Sequence, residues 1–326
     1  MRRAAFILST LAFAAGPAGA EAPVLTVYTY DSFATEWGPG PAIAAGFEAS
    51  CGCTLRVVPA GDGAALLSRL MLEGARSEAD VVVGLDNFLM ERARATGLFA
   101  PSGVTADFTL PVAWTDDIFV PYDWGAFAFV ADAGTQAPGS LRELADSDIA
   151  VVIQDPRAST PGLGLALWVE AAYGDGAADL WADLADNIVT VTPGWSESYA
   201  LFLSGEADAV LSYTTSPVFH VLAEDDDSKV FWDFAEGNPV QIEVGAILAH
   251  SGRQALARDF LQYLVSAEGQ AAIPETNWMF PVREPAGGLD PAFDAARPAK
   301  PLILTPDGAA ALRERAVADW QAGLAR

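Results

Sequence analysis

The chain has 326 residues, with eighteen Lys and Arg against forty-three Asp and Glu, a formal net charge of −25 at pH 7. So acidic a surface repels nucleic acid and anionic membranes, and neither is expected as a partner. The only cysteines form one Cys51-Gly52-Cys53, and the only histidines, His220 and His250, are far apart, which leaves no ligand spacing for a structural metal.

Residues 1–20 have the build of an export signal. Arg2 and Arg3 precede an apolar run from Ala4 to Ala15, and Ala18-Gly19-Ala20 forms a small-residue cleavage site. The apolar run is too short to span a membrane as a mature helix. No cysteine follows the site, so a soluble periplasmic protein without a lipid anchor is expected. In an oxidising compartment Cys51 and Cys53 are expected to bond to each other.

The stretch Val24 to Pro41 begins as a β-branched strand and changes character at Tyr28. Tyr30, Phe33 and Trp37 crowd around Asp31 and Glu36, and Gly38-Pro39-Gly40-Pro41 then stops regular structure, with Pro41 suited to open the next helix. A strand that ends in rings and carboxylates builds the wall of a pocket, where open α/β sheets bind their ligands. Strand TLRVVP (54–59) ends in Ala60-Gly61-Asp62-Gly63, ahead of a helix with Leu66, Leu67, Leu70 and Met71 at helical spacing. DVVVG (80–84) reads as a buried parallel strand, with a helix from Asp86 to about Thr96.

After an irregular segment to Asp117, FVPYDWGAFAFV (119–130) reads as two extended pieces flanking Tyr122 to Gly125, a crossing between lobes. Alternation then resumes, with strands at 149–153, 188–191 and 209–212, each followed by a Ser/Thr-bearing loop and a helix. Those loops are Asp155 to Pro161, Thr192 to Glu197 and Ser212 to Pro217, and helix starts of this kind present free amides and hydroxyls to a polar ligand group. Capping alone would also explain each. The acidic loop 224–227 reads as solvated, Val240 to Ala249 as a strand returning to the first lobe, and Thr305-Pro306-Asp307 as the start of a final helix. Rings paired with carboxylates suit a flat cationic ligand. No triad order, P-loop or dinucleotide fingerprint supports catalysis, and no cofactor is expected.

VLTVYTYDSFATEWGPGP, DVVVGLDN, QDPRASTPGLGLALW, TPGWSESYALFLSGEAD, VLSYTTSP and IPETNWMFPV together resemble the thiamine-binding periplasmic proteins of bacterial ABC importers, across essentially the whole chain after residue 20. The resemblance implies an α/β, two-lobed type II periplasmic-binding-protein fold. Its first lobe would be 21–118 plus 249–326 and its second 119–248, with ligand gripped by hinge closure. It implies thiamine or thiamine phosphates as ligand, and the permease and ATPase of an importer as partners. Tyr30 and Trp37 match first-lobe pocket rings, and Asp62 and Gly63 an acidic-glycine turn. Ser159, Trp195 and Tyr213 match second-lobe positions near the hydroxyl or phosphate tail, and Trp278 the ring covering the heterocycles. Phe219 stands where the family often has Tyr. The alternatives are a polyamine binder or ferric-ion binder of the same fold, though the neighbouring tyrosine pair of ferric sites is absent. A thiamine-degrading transferase is a further alternative and would need a free cysteine.

Overall fold

The computed structural model describes residues 22–325, so the expected export signal lies outside the described residues. Strand β1 (Val24–Thr29) pairs in parallel with β2 (Thr54–Pro59) and β3 (Val81–Asp86). Between them run helices α1 (Pro39–Cys51) and α2 (Gly63–Glu73). β3 is buried at every position, as a parallel strand covered on both faces must be. Gly52 adopts the left-handed conformation (φ 62°) that ends α1, and the Cys51–Cys53 disulfide closes around it.

The next strand, β4 (Val120–Asp132), is one unbroken element rather than two extended pieces. Its polar centre, Tyr122 to Gly125, stays extended because β8 (Asn238–Leu248) supplies an antiparallel ladder along it. From Phe127 onward β4 pairs instead with β7 (Ala209–Tyr213), so one strand serves both lobes. The second lobe holds β5 (Val151–Gln154) and β6 (Ile188–Thr192), with β5 parallel to both β6 and β7. Helices α3 (Thr160–Tyr173), α4 (Ala177–Leu184), α5 (Trp195–Leu203) and α6 (Ser216–Glu224) flank them. The main path of the sheet runs β2-β1-β3-β8-β4-β7-β5-β6, two parallel sets joined by two long antiparallel strands.

Three local expectations change. The helix expected from Asp86 is short, Met90–Ala95, because Asp86 and the residues after it form a turn in which the carboxylate accepts the Phe88 and Leu89 amides. The helix after the opening stretch begins at Pro39 rather than Pro41. The 224–227 loop is partnered as well as solvated: Glu224 bonds His220 and Asp226 pairs with Lys229.

After β8, α7 (Gln254–Leu264) returns to the first lobe, where Phe260 packs on Phe47 of α1. The final helix, α8 (Pro306–Leu324), departs from the expected division, since it packs mainly on α3 and α4 of the second lobe. Two features place it there. Gly323 lies where any Cβ would come within 2.4 Å of the Trp181 Cβ. Arg315 also pairs with Glu170, which is 2% exposed. Removing the guanidinium would strand a buried carboxylate. Arg315→Ala is therefore expected to lower stability by about 2 kcal/mol, read as a lower urea midpoint. An unchanged midpoint would mean that α8 is held by packing alone.

Candidate functional site

Between the lobes lies a cavity of about 590 Å³. The expected residues Tyr30, Trp37, Asp62, Gly63, Trp195, Tyr213, Phe219 and Trp278 line it, whereas Ser159 does not. Tyr30 enters as β1 ends, and Gly84 of β3 (φ 102°) makes room for it, since a Cβ there would lie 2.1 Å from the Tyr30 ring. Trp37 stands at the rim, 56% exposed.

The turn before α2 docks onto the second lobe. Asp62 Oδ2 accepts the Ser159 hydroxyl at 2.7 Å and the Trp195 amide at 3.1 Å, and the Ala65 amide donates to the Ala158 carbonyl at 2.9 Å. Gly63 fits because a Cβ would come 2.3 Å from Thr160 Oγ1. The lobes are thus closed on each other. Ser159 is fully buried with its hydroxyl engaged by Asp62, and Thr160 and Pro161 face the cavity in its place. Arg157 also stays out of the cavity, chelating Asp155.

Second-lobe rings are fixed by polar contacts in some cases and by ring–ring contacts in others. Trp195 Nε1 donates to Ser212 Oγ at 2.8 Å, and its ring stacks on Tyr199 at 5.0 Å. Phe219 meets Trp278 edge-on at 5.4 Å, a contact that needs no hydroxyl. Trp278 follows a π-helical turn (Ile273–Asn277) and takes a left-handed backbone, φ 55°. Thr160, Ser196, Thr215 and Ser216, at the starts of α3, α5 and α6, complete that side.

The floor comes from the crossing strands. Glu243 of β8 lines the cavity and accepts the Tyr30 hydroxyl at 3.0 Å and the Tyr122 hydroxyl. Asp123 of β4, its partner across the ladder, accepts Asn277 Nδ2 at 2.6 Å. Asn277 in turn accepts the Tyr30 hydroxyl at 3.2 Å. Sequence reasoning passed over Glu243, Asp123, Tyr122, Asp86 and Asn277 as site residues. The signal available was a carboxylate inside an otherwise apolar strand, NPVQIEVGAIL and VPYDWGAFAFVAD.

No Lys, Arg or His lines the cavity among the described residues. Asp62 and Glu243 of the lining, and Asp123 beside Glu243, therefore lack a counter-charge, and burial, the largest influence on each, raises all three, as it does Asp86 behind the cavity despite Arg313. Asp62 is pushed up to about 6 and Asp86 up to about 8, while Asp123 and Glu243 are also raised. Tyr30 and Tyr213 hydroxyls are held well above the ordinary tyrosine range by the same burial and by Glu243.

Residues 25–276 match the family described as bacterial extracellular solute-binding protein. The thiamine-binding periplasmic protein of Escherichia coli K12 is 51% identical over 93% of this chain and 94% of its own. That of Brucella abortus is 46% identical over 95% of each. A solved periplasmic thiamin binding protein superposes with TM-score 0.90 at 50% identity, over 94% of this chain and 97% of its own. The chain belongs to the thiamine-binding periplasmic proteins, within the bacterial extracellular solute-binding proteins. The family's fold is the two-lobed type II architecture, shared with iron-bound HitA from Pseudomonas aeruginosa at TM-score 0.73 and 22% identity, over 92% of this chain and 99% of that one. In this member of the family, no helix among the described residues is long and apolar enough to cross a membrane.

The raised carboxyls fix the pH response of the ligand-free protein. An acid whose folded pKa exceeds its unfolded value contributes stability that is complete below the unfolded value and lost as pH rises through the folded one. For Asp62 and Asp86 that window runs from the ordinary 3.8 to about 6 and about 8. Each pKa unit corresponds to about 1.4 kcal/mol. The thermal midpoint is expected to fall by at least roughly 3 °C between about pH 5 and pH 8.5. A midpoint that rises over that range in scanning calorimetry would refute these shifts.

Proposed function

We propose that the protein captures thiamine, free or as its phosphate esters, between its two lobes in the periplasm and delivers it to the permease and ATPase of an ABC importer. The observation that carries this reading is a cavity walled by Tyr30, Trp37, Trp195, Phe219 and Trp278, with Asp62 and Glu243 and no basic side chain. Thiamine has two flat rings joined by a methylene and is permanently cationic at its thiazolium. A ring face attracts a cation within about 6 Å by roughly 0.5–2 kcal/mol. The cavity's volume suits a small ligand rather than a peptide.

Closing the lobes buries the Asp62 carboxyl and raises it to about 6, so an ionised Asp62 resists closure on an empty cavity. A cation inside offsets that cost. Closure then follows from the ligand's charge. The helix starts that contribute Thr160, Thr215 and Ser216 favour an oxygen-rich tail, hydroxyl or phosphate. A polyamine would gain nothing from those donors, which weighs against the polyamine alternative. The transferase alternative needs a thiol at the ligand, and Cys51 and Cys53 are bonded to each other outside the cavity.

The test is a titration followed by tryptophan fluorescence, with thiamine, its monophosphate and spermidine. Thiamine is expected to saturate at one site, the monophosphate to bind comparably, and spermidine at least about tenfold more weakly. Trp278→Ala should cost about 2 kcal/mol, roughly thirtyfold in Kd. Spermidine binding more tightly than thiamine would overturn the assignment. Gly63→Ala, which sets a methyl against Thr160 across the closed interface and against the Gly84 carbonyl within the first lobe, should weaken thiamine at least about tenfold and also lower the melting temperature. Unchanged affinity would show that ligand is held without this closure.

A further inference from the structure

We infer that Asp123 and Glu243 form a carboxyl–carboxylate pair that selects a cationic ligand and exchanges its shared proton for the ligand's positive charge. The assignment rests on the reading of the cavity as a cation site. The two residues oppose each other on the crossing strands, 0% and 6% exposed. The β4–β8 register breaks immediately after Glu243, and the β3–β8 register breaks one residue later. Such an irregularity re-aims side chains and recurs beside functional sites.

The bonding around the pair leaves no other source of positive charge. Glu243 takes the hydroxyls of Tyr30 and Tyr122 and, on its other oxygen, Gln241 Nε2 at 3.3 Å. Asp123 Oδ2 takes Asn277, and Oδ1 receives no donor from any other side chain. Two carboxyls buried opposite each other on one ladder, with no basic group beside either, do not both ionise, so the free pair holds a proton. The charged and titratable groups around them are Tyr30 after β1, Asp62 before α2, Asp86 of β3, Tyr122 of β4, Tyr213 of β7 and Glu275 of the π-helical turn. All are acidic. In the empty cavity the proton is the only counter-charge the pair has. A thiazolium or other cation against Glu243 supplies another, and the proton then leaves to solvent, with no covalent bond to the ligand made or broken. It follows that affinity for a cation rises with pH while the free pair still holds its proton, and levels off once it does not.

Calorimetry with thiamine at pH 7, in phosphate and in Tris, reads the proton count from the difference in buffer ionisation heat. The same titrations with the neutral isostere carrying thiophene in place of thiazolium read the charge preference. The wild type is expected to release a measurable fraction of a proton with thiamine and none with the isostere. Glu243→Gln, which still accepts both tyrosine hydroxyls, should narrow the preference for thiamine over the isostere at least about tenfold. Asp123→Asn, which keeps a donor toward Glu243 but cannot titrate, should bind thiamine without releasing a proton. Thiamine binding to wild type with no proton released, or an undiminished preference in Glu243→Gln, would overturn the assignment. Wild type that binds neither compound would instead reject the thiamine reading, and this assignment with it.

Discussion

Carboxyls buried without a basic partner are the constraint around which this molecule is built. Asp62, Asp123 and Glu243 are removed from water by the lobes and crossing strands with no basic group acting on them, whereas Asp86 beside Glu243 has Arg313 as a neighbour. Isolated burial of that kind would unfold a weaker scaffold. It is tolerated here because β4 and β8 are paired over long stretches and buried along almost their whole length. Tyrosine, asparagine and backbone donors satisfy much of what remains. What those donors cannot supply is net positive charge. That deficit is what a ligand can fill.

The same two strands carry the chain between lobes, so the acid pair sits at the crossing, beside breaks in both ladders of β8. Charge at the floor of the cavity and lobe geometry are therefore linked through shared backbone. Asp62 adds a second link from the outer side, since its bonds to Ser159 and to the Trp195 amide exist only when the lobes meet. Gly61 (φ 78°) and Gly63 permit the tight turn that presents it.

Much of this could be read from the sequence because it is local. TLRVVP is a strand over 54–59 as its alternation implies, and Tyr30 and Trp37 after β1 and Asp62 after β2 line the cavity because strand ends face it, whereas Phe33 packs into the core and Asp31 and Glu36 stay out of the lining. The parts that escaped are those that depend on pairing between distant segments. Nothing near Asp123 announces Glu243, and the two meet only through the β4–β8 register. Ser159 reads as a ligand donor by its helix-start position, yet tertiary contact turns its hydroxyl toward Asp62. The amphipathic pattern of α8 says that one face is buried but not against which lobe, and Glu170 and Trp181 decide that.

The cavity walls are held in two ways: Trp195 and Tyr30 by polar bonds behind their rings, and Phe219 and Trp278 by each other, edge-on. Trp195 is tied to Ser212, and Ser212 to Ser216. Tyr199, which stacks on Trp195, is bonded at its hydroxyl to His220, and His220 to Glu224 at the surface. Tyr30 is tied to Glu243 and Asn277, and the Asn277 backbone leads directly into Trp278. Side chains fixed in this way lose little further freedom on binding, so the entropic cost of ordering the site has been met in folding. Shape is thus largely set before the ligand arrives, while charge is left unbalanced. Recognition in such a site is decided by which ligand carries positive charge to the floor, more than by which ligand can mould the walls.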